Sequence, residues 1–374
     1  MKIFILALLV TTTNVCFSQY WSSATPYDDP NESVLAIEVH NGEIYIGGAF
    51  SQVGGILASH IAKWDGTTWS TVGSGLSGYP SHLHSSNGIL YAIANGLLYY
   101  FDGTDWVNSN IPLATVFGIS TYGSGIMIST NFGVYVGSSS TYNLFAPNNL
   151  FTCFKEFNGE LYGGGSSGLF KWDGVVWQDV TGGNSAIPWW AFQINDLDVF
   201  DNKLVVAGFF SGIGGLTLSN IAFFDGTNYS EVGTNLANLV IAGEFNDLEV
   251  YNNKLFATGS FFSSNYRFVA RFDSNDWNIV DNYYFISGVT SGNDIEFYNS
   301  ELYVGISGGT LGARNFLKFN GNPLSVENYS MDRHKELIGV YDLLGRPVSV
   351  WVKKEGILLY RYSDGSVEKK MIFK

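Results

Sequence analysis

Three aspartates recur in one local setting, Asn195-Asp196-Leu197, Asn246-Asp247-Leu248 and Asn293-Asp294-Ile295. Two residues after them come Asp198, Glu249 and Glu296. Residues i and i+2 of an extended strand share a face, so each segment puts two carboxylates on one side. Gathered carboxylates suit sugar hydroxyls or Ca2+, which takes roughly six to eight hard oxygen ligands. Left uncompensated, they raise one another's pKa. Either bound Ca2+ or donors from Asn195, Asn246, Asn293 or nearby backbone N–H groups are therefore expected. The competing reading is inheritance, in which sibling repeats share a strand start and the acids are solvated or bonded locally.

His82 and His84 stand at i and i+2 in an equivalent segment and could share a metal if another element supplied a third ligand. Satisfied or solvated imidazoles are the alternative. Trp189 and Trp190 form an aromatic pair in a loop outside any repeat, suited to stacking on a sugar or protein, or to burial beneath the loop. Cys153 would be the one cysteine left after a leader is removed, and it reads as a small core residue. No His-Glu-x-x-His or phosphate loop occurs, and no catalytic residue is assigned.

These residues must be positioned by repeated elements. Asn-Gly-Glu-Ile-Tyr at 41–45 has counterparts at 87–91, 123–127, 158–162, 201–205, 252–256 and 299–303, at spacings of 46, 36, 35, 43, 51 and 47. A second element, Lys-Trp-Asp-Gly-Thr-Thr-Trp at 63–69, recurs at 100–106, 171–177 and 223–229, and more weakly at 271–277 and 318–321. The third repeat keeps only Val134–Gly137 of it. Asn-Gly and Asp-Gly read as two-residue hairpin turns, where both central residues need positive φ. Each repeat is then four short antiparallel strands. The expected fold is all-β, a seven-bladed β-propeller of four-stranded antiparallel blades plus a small C-terminal β unit. The seventh repeat lacks its last aromatic, and Tyr20-Trp21-Ser22-Ser23 resembles Thr68-Trp69-Ser70-Thr71. Residues 20–24 are therefore expected to supply the outermost strand of the last blade, closing the ring.

The chain has 374 residues, of which 14% are charged and 44 are glycine. Its net charge of −14 argues against a nucleic-acid partner, which needs clustered Lys and Arg. Lys2 followed by the apolar run Ile3–Val10 reads as a signal peptide over 1–19, and the run is too short to span a bilayer. No transmembrane anchor is expected. The charge balance changes near 330, from −18 over 20–330 to +3 over 331–374. The expected domains are thus 1–19, 20–330 and 331–374.

Two resemblances rest on these residues. Gly47–Gly66 and Gly208–Gly226, the long forms in repeats 1 and 5, resemble secreted bacterial propeller repeats of the kelch-like type. The tail, with Tyr-Asp-Leu-Leu-Gly-Arg at 341–346 and Gly356–Ile372, resembles the C-terminal sorting domain of type IX secretion cargo. That resemblance implies export through the periplasm of a Gram-negative bacterium to the surface or medium, with the type IX machinery as partner of 331–374. The expected function is a monomeric secreted or cell-surface binding module for extracellular glycan, protein or matrix, more a binder than an enzyme. The alternative is an extracellular carbohydrate-active hydrolase or lyase using an acidic channel mouth, with or without calcium.

Overall fold

The structure is a computed structural model that describes residues 21–24, 29–111, 114–147, 150–182, 192–218, 220–233, 243–261, 269–273, 275–280, 291–307, 315–319, 323–324, 337–342, 356–362 and 367–372. The leader at 1–19 and the Trp189-Trp190 pair lie outside these residues. Every regular element among the described residues is a strand, and no helix is long and apolar enough to cross a membrane.

Seven four-stranded antiparallel sheets form the blades. Their inner strands are Val34–His40, Pro80–Ser86, Val116–Tyr122, Cys153–Phe157, Gln193–Phe200, Gly243–Tyr251 and Ser291–Tyr298, defining blades 1 to 7. Each inner strand touches the next around the whole circle, including the seventh against the first. Trp21–Ser23 pairs with Leu317–Phe319 as the outermost strand of blade 7, as the sequence pattern predicts. The Ala24 N–H extends this pairing to the Phe316 carbonyl at 3.1 Å.

No single core fills the ring. Seven apolar clusters occupy the seven seams, each made by two neighbouring blades. The apolar column of the inner strands supplies them: Ile37, Leu83, Phe154, Leu197, Leu248 and Ile295 are all buried. Blades approach closely at second-strand glycines. A Cβ on Gly47 would lie 2.8 Å from Pro80 of blade 2, and one on Gly164 would lie 2.6 Å from Ile194 of blade 5.

The two turn types differ. Asn41 (φ 50°) and Gly42 (φ 77°) form the expected two-residue turn, with His40 paired to Glu43. The Asp-Gly turn is longer than expected, since Trp64 pairs with Trp69 across four residues. Only Gly66 (φ 98°) takes positive φ there, and the Asp65 carboxylate accepts the Thr67 and Thr68 N–H groups at 2.7 and 2.8 Å. The aspartate caps the turn, which is why it recurs as Asp102, Asp173 and Asp225. Blade 3 lacks this signature yet forms Gly133–Ser138 and Thr141–Pro147 as its outer strands.

The chain divides into two compact units, 1–324 and 325–374. In the second, Leu337–Asp342, Gly356–Tyr362 and Val367–Ile372 make a three-stranded antiparallel sheet.

Candidate functional site

A shared irregularity shapes the channel side of the blades. In six inner strands the register slips by one residue near the start, as between Ile194 and Asp196, Phe245 and Asp247, and Gly292 and Asp294. A bulge of this kind leaves one residue out of the ladder and re-aims its neighbours. In blades 5, 6 and 7 the extra residue is Asn195, Asn246 and Asn293.

The asparagines and aspartates work as pairs across seams. Asn195 Nδ2 donates to the Phe245 carbonyl at 2.8 Å, while Asp196 Oδ2 accepts the Leu248 N–H at 3.0 Å. One blade on, Asn246 Nδ2 reaches the Gly292 carbonyl at 2.7 Å, and Asp247 Oδ2 accepts the Ile295 N–H at 2.9 Å. The third pair closes the circle. Asn293 Nδ2 donates to the Val34 carbonyl at 2.6 Å, and Asp294 Oδ2 accepts the Ile37 N–H at 2.8 Å. Every Asn-Asp pair thus grips the backbone on both sides of the next blade's bulge. Backbone N–H groups of the next blade donate to all three carboxylates. The asparagines serve carbonyls instead of the aspartates.

Asp196 and Asp247 are partly buried, and burial pushes both carboxyls up. Asp198 adds to this at Asp196, and Asp294 at Asp247. Burial also raises Asp294, against the Ile37 N–H that opposes it.

The second acidic layer continues around the ring. Burial and Glu296 push Glu249 up to about 8. Burial and Asp294 push Glu296 up to about 7. Glu38 of blade 1 is raised well above the ordinary range by burial and Glu296, although the Ser85 N–H bonds to it. Asp198 pairs with Lys155 of blade 4, whose ammonium is raised despite its burial. Lys155 is not among the residues the sequence singles out. A lone basic residue facing four acidic neighbours was the available signal.

The remaining candidates scatter. Burial pushes His82 and His84 down to about 4, so both imidazoles are neutral near pH 7. Ser81 Oγ lies 2.9 Å from His82 Nδ1, and His84 Nε2 lies 3.0 Å from Thr121 Oγ1. His84 thereby reaches across the seam to blade 3, while His82 bonds a neighbour on its own strand. Among the described residues no three His, Cys, Asp or Glu side chains gather as a metal-holding group. Cys153 is 7% exposed, and burial raises its thiol, as expected of a core residue. Gly164–Gly168 spells Gly-x-Ser-x-Gly, but it spans a turn between Glu160–Gly165 and Gly168–Trp172, not a strand-to-helix elbow.

The outer aromatics latch the seams from the rim. Trp106 Nε1 donates to the Val72 carbonyl at 3.2 Å, Tyr229 OH to Val180 at 2.9 Å and Trp277 Nε1 to Val232 at 2.7 Å. Each acceptor lies one or two residues after the outermost strand of the preceding blade.

No family model matches the chain, and no curated protein matches it in sequence. Solved structures do resemble it. The extracellular domain of a hybrid two-component system of B. thetaiotaomicron aligns at TM-score 0.54 and 16% identity, over 91% of this chain and 46% of that one. A second such domain from the same organism aligns at 0.55 and 12%, over 90% and 50%. The computationally designed protein Ika8 aligns at 0.50 and 11%, over 78% and 97%. This chain therefore spans about half the length of the extracellular domains it matches, and at these identities the likeness is one of fold.

Proposed function

We propose that the chain is a secreted or cell-surface propeller that binds an extracellular glycan, protein or matrix component on a ring face. The observation that carries this reading is the use made of the channel carboxyls. Asp196, Asp247 and Asp294 each spend an oxygen on the backbone of the next blade. Carboxyls that bond the next blade's backbone hold blades together. The likeness in fold to extracellular domains of two-component systems agrees with a binding role outside the cell.

The kelch-like repeats, the leader at 1–19 and a type IX sorting role for 331–374 complete the proposal. Its test is a glycan and matrix-protein array probed with the full chain, run beside a panel of glycoside substrates. Saturable binding without turnover supports it. Turnover abolished by D196N would replace it with a hydrolase. For export, deletion of 331–374 is expected to leave the protein in the periplasm, and normal surface delivery would remove the sorting role.

A further inference from the structure

The two ends of the ring differ in chemistry. Each blade is an antiparallel meander, so its first and third turns emerge at one end, and its second turn and the link to the next blade emerge at the other. Charge marks the first end, where Asp65, Asp102, Asp105, Asp173, Asp201 and Asp225 all stand in turns. At the second end, among the described loop residues from Ala49 of blade 1 to Leu218 of blade 5, none is Asp, Glu, Lys or Arg. Charge returns there with Glu231 before blade 6 and with Asp29 and Glu32 before blade 1.

Large apolar side chains stay exposed within this uncharged sector. Tyr79 is 53% exposed, Phe132 49% and Leu97 41%. The three lie along one continuous arc over blades 1 to 3. Leu76 N–H donates to the Ser59 carbonyl at 2.9 Å, joining the blade 1 loop to the link that carries Tyr79. A Cβ on Gly78 would collide with the Asn95 amide, so that link rests against the second turn of blade 2. Val116 N–H donates to the Gly96 carbonyl at 2.8 Å, and Thr115 N–H to Asn131 Oδ1 at 2.8 Å, next to Phe132. Tyr79 is held in place. Its ring meets His60 edge to face with centroids 4.8 Å apart, and His60 Nδ1 lies 3.1 Å from the Phe50 carbonyl oxygen. Asn95, Thr115 and Asn131 are exposed along the arc and add neutral amide and hydroxyl groups.

We propose that this arc is the binding surface for an uncharged glycan, whose sugar rings lie on Tyr79 and Phe132 while its hydroxyls meet Asn95, Thr115 and Asn131. The inference rests on the binding role proposed above and names the face and the ligand class. A sugar ring offers a C–H face to an aromatic ring and a rim of hydroxyls to amides, with no charge to neutralise. Sulfated or uronic polymers and anionic membranes call for Lys and Arg, which this sector lacks among its described residues. Protein partners are steered and held in register by complementary charge, which it also lacks.

The test titrates the full chain with the neutral polysaccharides xylan, mannan and laminarin, with polygalacturonate and heparin as charged polymers and collagen as a protein. Binding to at least one neutral polysaccharide is expected, unchanged between low salt and roughly 0.5 M. Y79A and F132A should each weaken it about tenfold or more without moving Tm, because both side chains stand half outside the core. Y79F should keep it, and so should V175S in an exposed turn at the opposite end. If Y79A and F132A leave binding intact, or lower it only together with Tm, the arc is overturned while the binding role stands. Binding confined to charged polymers or collagen overturns the uncharged-glycan assignment and again leaves the binding role standing. Failure to bind any of these probes overturns both.

Discussion

Between blades 6 and 7, Asn246 and Asp247 tie backbone to backbone, and at the rim the neighbouring 5/6 seam is tied by Trp277. Between blades 3 and 4 the seam is an aromatic stack. Phe145, Phe151, Trp172 and Trp177 pack there with ring centroids 4.7–5.3 Å apart. The seam is bridged by Phe151 N–H to Ser129 Oγ at 2.8 Å, and the Trp177 indole N–H has no partner among the described residues. Both seams bury a continuous apolar layer. Apolar burial thus suffices to hold two blades together, at roughly 25 cal/mol per Å2, while the directional bonds fix how they are set against each other.

The largest expected effect comes from attacking closure itself. Deleting 20–24 removes the strand Trp21–Ser23 and the Ala24 bond, leaving Phe316–Phe319 as a bare edge. Several backbone bonds at about 1 kcal/mol each translate into a Tm roughly 5–15 °C lower, with aggregation above it. Calorimetry with light scattering measures both. A melting point within a degree of wild type would show that the clasps alone close the ring.

A matched pair of substitutions sharpens the contrast between seams. W277F and W177F each remove an indole N–H and shrink the ring. W277F also strands the Val232 carbonyl, which costs about 1–3 kcal/mol. W177F strands nothing. Denaturant titration should therefore find W277F the more destabilised by that margin, and equal losses would erase the distinction between latched and unlatched rims.

The smallest effect belongs to blade 2. His82 and His84 have folded pKa values pressed down to about 4, so they must stay neutral to fold. Their contribution is complete above the unfolded value of roughly 6.5 and declines as pH falls toward 4, opposite to the carboxyls. Replacing both by Gln should raise stability at pH 4.5 relative to pH 7.5 by a few tenths to about 2 kcal/mol. A parallel shift at both values would mean that their hydrogen bonds matter more than their charge.

Architecture was legible because it is periodic. Two-residue Asn-Gly turns and alternating apolar residues write each hairpin locally, and Trp21 repeats the pattern that Trp69 sets. Blade 3 shows the limit. Its outer strand Thr141–Pro147 alternates only loosely, and it pairs because Gly133–Ser138 offers an edge, which no local signal states. The Asp-Gly turn misled for a related reason. The same dipeptide serves two-residue and four-residue loops, and the register of Trp64 against Trp69 decides between them.

The acidic column was visible as a set of aligned positions, but its partners were not. Asp294 meets Ile37, 257 residues away, through a bulge whose one-residue slip no spacing argument contains. Strand alternation alone aims Asn293 away from Asp294. The extra residue turns both toward blade 1, where they grip the backbone on either side of Leu35.

The pairing of Trp21–Ser23 with Leu317–Phe319 also sets a schedule for the chain. A strand near the beginning waits for one almost 300 residues later, so the ring cannot finish until nearly all of the propeller has been made. Closing so long a loop adds little to the equilibrium cost, since each doubling of length adds only about 0.6 kcal/mol. The burden falls on time, because contacts this distant in sequence form slowly. Until the last blade arrives, the earlier six stand as an open arc with an exposed strand at each end. A chain built this way lingers in a partly folded form until its last blade is made.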